Sequence, residues 1–136
     1  MNKYLKRAAL GLLTMAIFTI GASVVAAQDD TTPKKRLKAP ATVSGTVGGE
    51  AHDSYVIKAR KGQRMAVEIT WKKEDSNKAE FTVSRSDNFY GAEMVKFGQT
   101  TYLEDKWNGK IPETGNYYIY VVGHPTAKYK LKVSFR

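Results

Sequence analysis

The stretch Lys128-Tyr129-Lys130-Leu131-Lys132-Val133-Ser134-Phe135-Arg136 decides the fold. Its residues alternate: Tyr129, Leu131, Val133 and Phe135 share one face, while Lys128, Lys130, Lys132 and Arg136 share the other. Successive side chains of an extended chain point to opposite faces, so this is a strand with one buried and one wet side. Such a basic comb suits an exposed or edge strand, where lysines discourage sheet-to-sheet pairing, and by itself it marks no ligand site.

The same period of two recurs upstream. Tyr117, Ile119 and Val121 are expected inward and Tyr118 and Tyr120 outward, after a turn at Ile111-Pro112-Glu113-Thr114-Gly115-Asn116 with proline early and glycine late. Phe81 and Val83 alternate with Glu80 and Thr82 beyond a polar loop, Lys72 to Lys78. Met65, Val67, Ile69 and Trp71 alternate with Arg64, Ala66, Glu68 and Thr70, and Tyr55, Ile57 and Ala59 alternate with Val56, Lys58 and Arg60. The turn Lys61-Gly62-Gln63 between these two runs predicts a hairpin. Ala41 to Val47 is a further strand, ended by Gly48-Gly49.

Between Arg85 and Lys110 the pattern is irregular. Glu93 to Phe97 and Thr100 to Leu103 are candidate strands, and most of the aromatics Phe89, Tyr90, Phe97, Tyr102 and Trp107 are expected to cover the core beneath long loops. About seven to eight strands without a helical period predict an all-β, antiparallel β-sandwich of jelly-roll-like form, with a small barrel as the alternative.

The amino terminus predicts export. Lys3, Lys6 and Arg7 precede an uncharged, mostly apolar run from Ala8 to Ala27, which ends in Val25-Ala26-Ala27 before the polar Gln28-Asp29-Asp30. This order is that of a cleavable signal peptide cut after Ala27. The run is long enough for a membrane span, but the small residues at its end and the acidic pair beyond it favour cleavage, leaving no stable membrane anchor. A lipoprotein anchor requires a cysteine, and the chain has none. The expected division is a signal peptide over residues 1–27, a flexible basic arm over 28–40, and one domain over 41–136. The expected location is periplasmic or secreted.

Three of the 22 basic residues belong to that leader, leaving 19 against 13 acidic ones, a formal charge of +6. This balance favours acidic partners such as anionic lipid, acidic wall polymers or proteins. An exported location argues against nucleic acid. Solubility is an equally good reason for the lysines. In the arm, Pro33, Lys34, Lys35, Arg36, Lys38 and Pro40 leave little to bury, and a spacer is the simpler reading than an electrostatic tether.

Two stretches carry a resemblance. One runs Gly49-Glu50-Ala51-His52-Asp53-Ser54-Tyr55, on through Ala59-Arg60-Lys61-Gly62-Gln63 to Met65-Ala66-Val67-Glu68-Ile69; the other runs Ile111-Pro112-Glu113-Thr114-Gly115-Asn116-Tyr117 and on to Tyr129-Lys130-Leu131-Lys132-Val133. Together they resemble the bacterial pre-peptidase C-terminal domain, a β-sandwich appended to secreted enzymes. In that pattern Asp53 or Ser54 is placed to satisfy backbone donors at a strand start, and Gly62 to permit a tight turn. As a free-standing exported sandwich the chain also resembles the periplasmic inhibitors of goose-type lysozyme, whose loops block the enzyme cleft. It departs from them in having Glu50 where they carry an aromatic residue, and only Gly123-His124-Pro125-Thr126-Ala127 where they have a long arginine-bearing loop.

The residues supply little for catalysis. With two histidines and no cysteine, the usual closed zinc constellations cannot be assembled, so no metal and no cofactor is expected. His52-Asp53-Ser54 holds the residue types of a hydrolase triad, but neighbours on a strand point to opposite faces. Glu74-Asp75, Glu104-Asp105 and Asp87-Asn88 lack a calcium-loop spacing, and no glycine group sits between a strand and a helix to cradle phosphate.

Binding is therefore expected from loops on a rigid scaffold. The candidate residues are Arg85, Asp87, Phe89 and Tyr90 in one loop and Lys106, Trp107 and Asn108 in another, with Trp107 suited to stacking on a sugar or anchoring a protein contact. Tyr118 and Tyr120 offer a flatter platform. The expected function is an exported, non-catalytic binding module for a protein or glycan of the cell envelope. The alternative is inhibition of a goose-type lysozyme, and a small secreted hydrolase ranks third.

Overall fold

Period-two burial runs through the strands of the computed structural model, which describes residues 28–136; the expected leader and its cleavage after Ala27 lie outside the described residues. The strands are β1 (Lys34–Leu37), β2 (Ala41–Gly48), β3 (Asp53–Ala59), β4 (Arg64–Trp71), β5 (Lys78–Ser84), β6 (Gln99–Thr100), β7 (Lys106–Lys110), β8 (Gly115–His124) and β9 (Thr126–Phe135). They form two sheets, ordered β1-β3-β8-β5 and β2-β9-β4-β7-β6. All pairings are antiparallel except β1 with β3. The sandwich expected from the sequence is thus present, with nine strands among the described residues.

The sheets close on one core. From the first come Tyr55, Ile57, Ala59, Val83, Tyr117, Ile119 and Val121; from the second come Val47, Met65, Val67, Ile69, Leu131 and Val133. Apart from Val47, whose strand carried no assigned face, these are the residues that alternation groups on one face, and burying a Val, Ile or Leu side chain contributes about 2 kcal/mol each. Tyr129 also lies inside, its hydroxyl donating to Asp53 Oδ2 and standing 2.5 Å from the Tyr55 hydroxyl. The Asp53 carboxylate thus serves a side chain from the opposite sheet. Gly45 of β2 makes room for this polar chain: a Cβ there would lie 2.7 Å from the Tyr129 hydroxyl and 2.8 Å from Asp53 Oδ2.

Three sequence expectations are corrected. The hairpin between β3 and β4 does not form, because the turn at Lys61-Gly62-Gln63 carries the chain from one sheet to the other. Gly62 adopts φ +92°, and its N–H donates to Ile111 O at 2.8 Å. Only β6 and β7 pair as sequence neighbours; every other connection crosses between the layers. Of the two settings expected for the basic comb, exposed or edge, β9 has the first: it lies between β2 and β4, and its lysines line an open sheet face.

The segment expected as a flexible arm contains β1. Its Leu37 is buried against the core, and its backbone covers the edge of β3, which would otherwise present unpaired N–H and C=O groups. In the irregular region, Glu93 to Phe97 and Thr100 to Leu103 are not strands as drawn. The pairing segments there are β6 and β7.

Candidate binding site

The geometry at one corner of the first sheet starts from Asp30, whose side chain is 2% exposed. Asp30 Oδ1 accepts from the Thr32 N–H at 3.1 Å and faces His52 Nε2 at 3.1 Å. Asp30 Oδ2 accepts from the Phe89 N–H at 3.0 Å, with Lys34 Nζ 3.8 Å away. Burial pushes this carboxyl up, but the Phe89 and Thr32 N–H groups and the His52 ring outweigh it and hold it below its ordinary value. An ionised carboxylate only accepts, so one acid holds together the amino-terminal segment, the approach to β3 and the loop after β5.

Aromatic rings pack over this hub. Phe89 lies flat on His52, with centroids 3.8 Å apart and planes 9° from parallel. Tyr90 and Tyr120 meet the imidazole edge-on at 6.0 and 6.3 Å. Tyr120 donates to Ser86 O at 2.6 Å, and Tyr118 stacks beside it at 6.4 Å. Burial, then the charges of Asp30 and Asp87 and the neighbouring Tyr118, push the Tyr120 phenol well up, so it stays a neutral donor.

The loop itself is built by short side-chain contacts that suit its sequence. Asn88 Oδ1 accepts from the Tyr90 N–H at 2.9 Å, the asparagine cap of a short 3-10 turn over Phe89–Gly91. Asn88 Nδ2 donates to Gln28 O at 3.1 Å, a second tie to the amino-terminal segment. Tyr90 emerges from this ordered turn 47% exposed. Close by on the same sheet, Ser54 pairs with Tyr120 in register and is buried with no hydrogen-bond partner for its Oγ.

Eight of the nine candidate residues separate into three groups. Phe89, Tyr90 and Tyr120 converge on the corner, with Tyr118 and Asp87 beside them. Tyr120 lies on the outward face of its sheet, as alternation placed it, and is nevertheless buried because the loop and its Ser86 carbonyl cover it. Arg85 turns away, its guanidinium 4.4 Å from the Tyr117 ring centre. Lys106 and Asn108 stand on the outer face of the other sheet.

Trp107 is corrected outright. It belongs to β7, is 2% exposed, and its indole N–H reaches Phe97 O at 3.4 Å. A ring so enclosed cannot stack on a sugar. Phe97 packs against it edge-on at 5.8 Å, as covering aromatics beneath a loop do.

Asp30, His52, Ser86 and Asn88 are the residues that sequence reading missed. Asp30 lay in the supposed arm, and His52 stood only as part of an unassembled triad. Their separation of 22 positions carries no periodic signal. Chemically, the imidazole is shielded by Phe89 and engaged by Asp30, an arrangement that fastens segments together. Among the described residues no three His, Asp or Glu side chains gather to hold a metal ion.

This is a two-layer β-sandwich with an ordered aromatic corner. Among solved structures it is similar to PliG of Aeromonas hydrophila, a periplasmic lysozyme inhibitor of g-type lysozyme, with TM-score 0.59 and 22% identity over 76% of this chain and 96% of that one. It is also similar to the pre-peptidase C-terminal domain of Bacillus anthracis collagenase, with TM-score 0.56 and 16% identity over 79% and 100%. Salmonella Typhimurium PliG, another periplasmic inhibitor of g-type lysozyme, gives TM-score 0.52 and 18% identity over 76% and 98%. These likenesses establish the fold that the two sequence stretches implied. No protein-family profile matches the chain, and no curated protein matches its sequence.

Proposed function

We propose that the chain is an exported, non-catalytic binding module of the bacterial envelope that recognises a protein through the corner formed by the loop Arg85 to Gly91. The observation that carries this reading is Tyr90, half exposed on a turn whose backbone is pinned by Asn88 and Asp30. A rigid, partly exposed tyrosine is a low-entropy contact residue, because little freedom is lost when it is covered. The leader-like residues 1–27 support export, and the periplasmic neighbours support the same compartment.

The test is crosslinking capture from an envelope extract with the wild-type protein and with Tyr90→Ala. Tyr90→Ala is expected to lose the captured partner. Equal capture by both would remove the corner as the site, and capture only of purified wall glycan would replace the protein partner with a sugar.

Inhibition of a g-type lysozyme is the second reading, favoured by a likeness that spans 96% of the Aeromonas inhibitor. The residues Glu50 and the short Gly123–Ala127 connection weigh against it. Titration against purified g-type lysozymes in a wall-clearing assay decides the matter, with slowed clearing expected for an inhibitor and unchanged clearing at large molar excess ending the reading.

A further inference from the structure

The outer face of the second sheet, away from the aromatic corner, presents a two-dimensional array of cations. Lys128, Lys130 and Lys132 project from β9, Arg64 from β4, and Lys106 and Lys110 from β7, and all six are exposed. The registers place them together: Lys132 opposite Glu68, Glu68 opposite Lys106, and Arg64 opposite Lys110. Arg64 Nη1 also donates to Asn108 Oδ1 at 3.1 Å across the same face. Glu68 is the one acid carried by the strands of this sheet among the described residues.

The filler between these charges is small and polar. Thr42, Ser44 and Thr46 of β2 stand opposite Lys132, Lys130 and Lys128, and Thr70 of β4 stands opposite Lys130 on the other side. Alternate residues on a strand are about 6.7 Å apart, and β9 and β7 are separated by β4, about 10 Å. The cations therefore spread in two dimensions over the face, and at one end Lys128 and Lys130 border a shallow hollow lined by Ser44, Thr46 and Thr70. The six positions are far more than edge protection requires, since β9 is an interior strand.

We propose that this face docks the protein on an anionic phospholipid surface. An array that extends in two dimensions complements a sheet of headgroups, whereas a single polymer chain would meet only one row of it. Apart from the partly exposed Trp71 at the Lys128–Lys130 end, the residues between the six are small and polar, so attachment is peripheral, chiefly electrostatic and reversible. The proposal goes beyond binding at the aromatic corner, because it concerns the opposite layer and leaves the corner free.

The experiment is co-sedimentation of protein recovered from cells expressing the whole chain, using vesicles of phosphatidylcholine alone or with about a third phosphatidylglycerol. Binding is expected only to the anionic vesicles and is expected to fall as salt shortens the screening length. Each lysine near such a surface is worth about fivefold in partitioning, so Lys128→Gln/Lys130→Gln/Lys132→Gln is expected to bind about 100-fold more weakly. A control, Lys38→Gln/Lys58→Gln/Lys61→Gln, removes three charges elsewhere and is expected to lose far less. The single change Lys130→Gln, expected to lose about fivefold, gives the same reading if the triple variant folds poorly.

Equal losses in the two triple variants would reduce the effect to net charge and overturn the proposal. So would equal binding to uncharged vesicles, or face-dependent binding to soluble polyphosphate with none to vesicles.

Discussion

Replacing Asp30 by alanine removes the carboxylate that ties three segments together. Its three acceptor contacts, to the Thr32 N–H, His52 Nε2 and the Phe89 N–H, all lie between 3.0 and 3.1 Å around a side chain 2% exposed. A hydrogen bond to a charged group is worth about 1.5–3 kcal/mol, and removing one partner of a buried pair strands the other. Allowing for the freedom that the released segment regains, the local cost is about 3 kcal/mol, which is about a 150-fold more frequent opening of the corner.

The assay is amide hydrogen exchange followed by mass spectrometry on peptides covering residues 28–37 and 86–92. Protection at Thr32 and Phe89 is expected to fall while the strands of the second sheet keep theirs. Asp30→Asn, which retains one acceptor oxygen, is expected to fall between.

The pH dependence follows from the same carboxyl. Its value is lowered in the folded state, so its contribution is complete above about pH 5 and is lost as pH falls through the folded value. Acid is therefore expected to loosen the corner of the wild type and to change Asp30→Asn much less. Unchanged protection at Phe89 in Asp30→Ala would refute the reasoning, since it would mean that the aromatic stack alone holds the loop.

Tyr129→Phe is expected to destabilise by about 2–3 kcal/mol in urea unfolding and Tyr55→Phe by less, because only the first leaves both Asp53 and the other hydroxyl without a partner. Equal losses would place the two hydroxyls on an equal footing. Gly45→Ala is expected to cost about 1–3 kcal/mol, seen as a lowered Tm, since the added methyl meets the Tyr129 hydroxyl; an unchanged Tm would show that the ring gives way freely. Trp107→Ala is expected to cost about 3–5 kcal/mol through the cavity it leaves and yet to leave partner binding per folded molecule unchanged, which a binding titration corrected for folded fraction would check.

The part legible in the sequence was the inward set. Met65, Val67 and Ile69, Tyr117, Ile119 and Val121, and Tyr129, Leu131 and Val133 all lie where alternation placed them. Alternation is a property of a single extended chain and requires no knowledge of its neighbours. Leu37 escaped notice because four residues with one apolar side chain show no period, so β1 read as an arm. Trp107 misled because polar flanks suggest a loop, whereas Lys106 and Asn108 are simply the outward neighbours of an inward ring.

Partnership was beyond local pattern. The turn at Gly62 reads the same whether the chain folds back into its own sheet or crosses to the other, and only the competing demands of both sheets settle that choice. The corner joins Asp30 to His52 and to Phe89 across 22 and 59 positions, and the core joins Tyr129 to Asp53 across 76. The sequence by itself determined that this is an all-β chain and which residues of its main strands face inward, because those follow from backbone geometry residue by residue. Tertiary structure alone decided which strands pair, which aromatics form a corner and which lysines share a plane, because those depend on packing between segments that no spacing along the chain encodes.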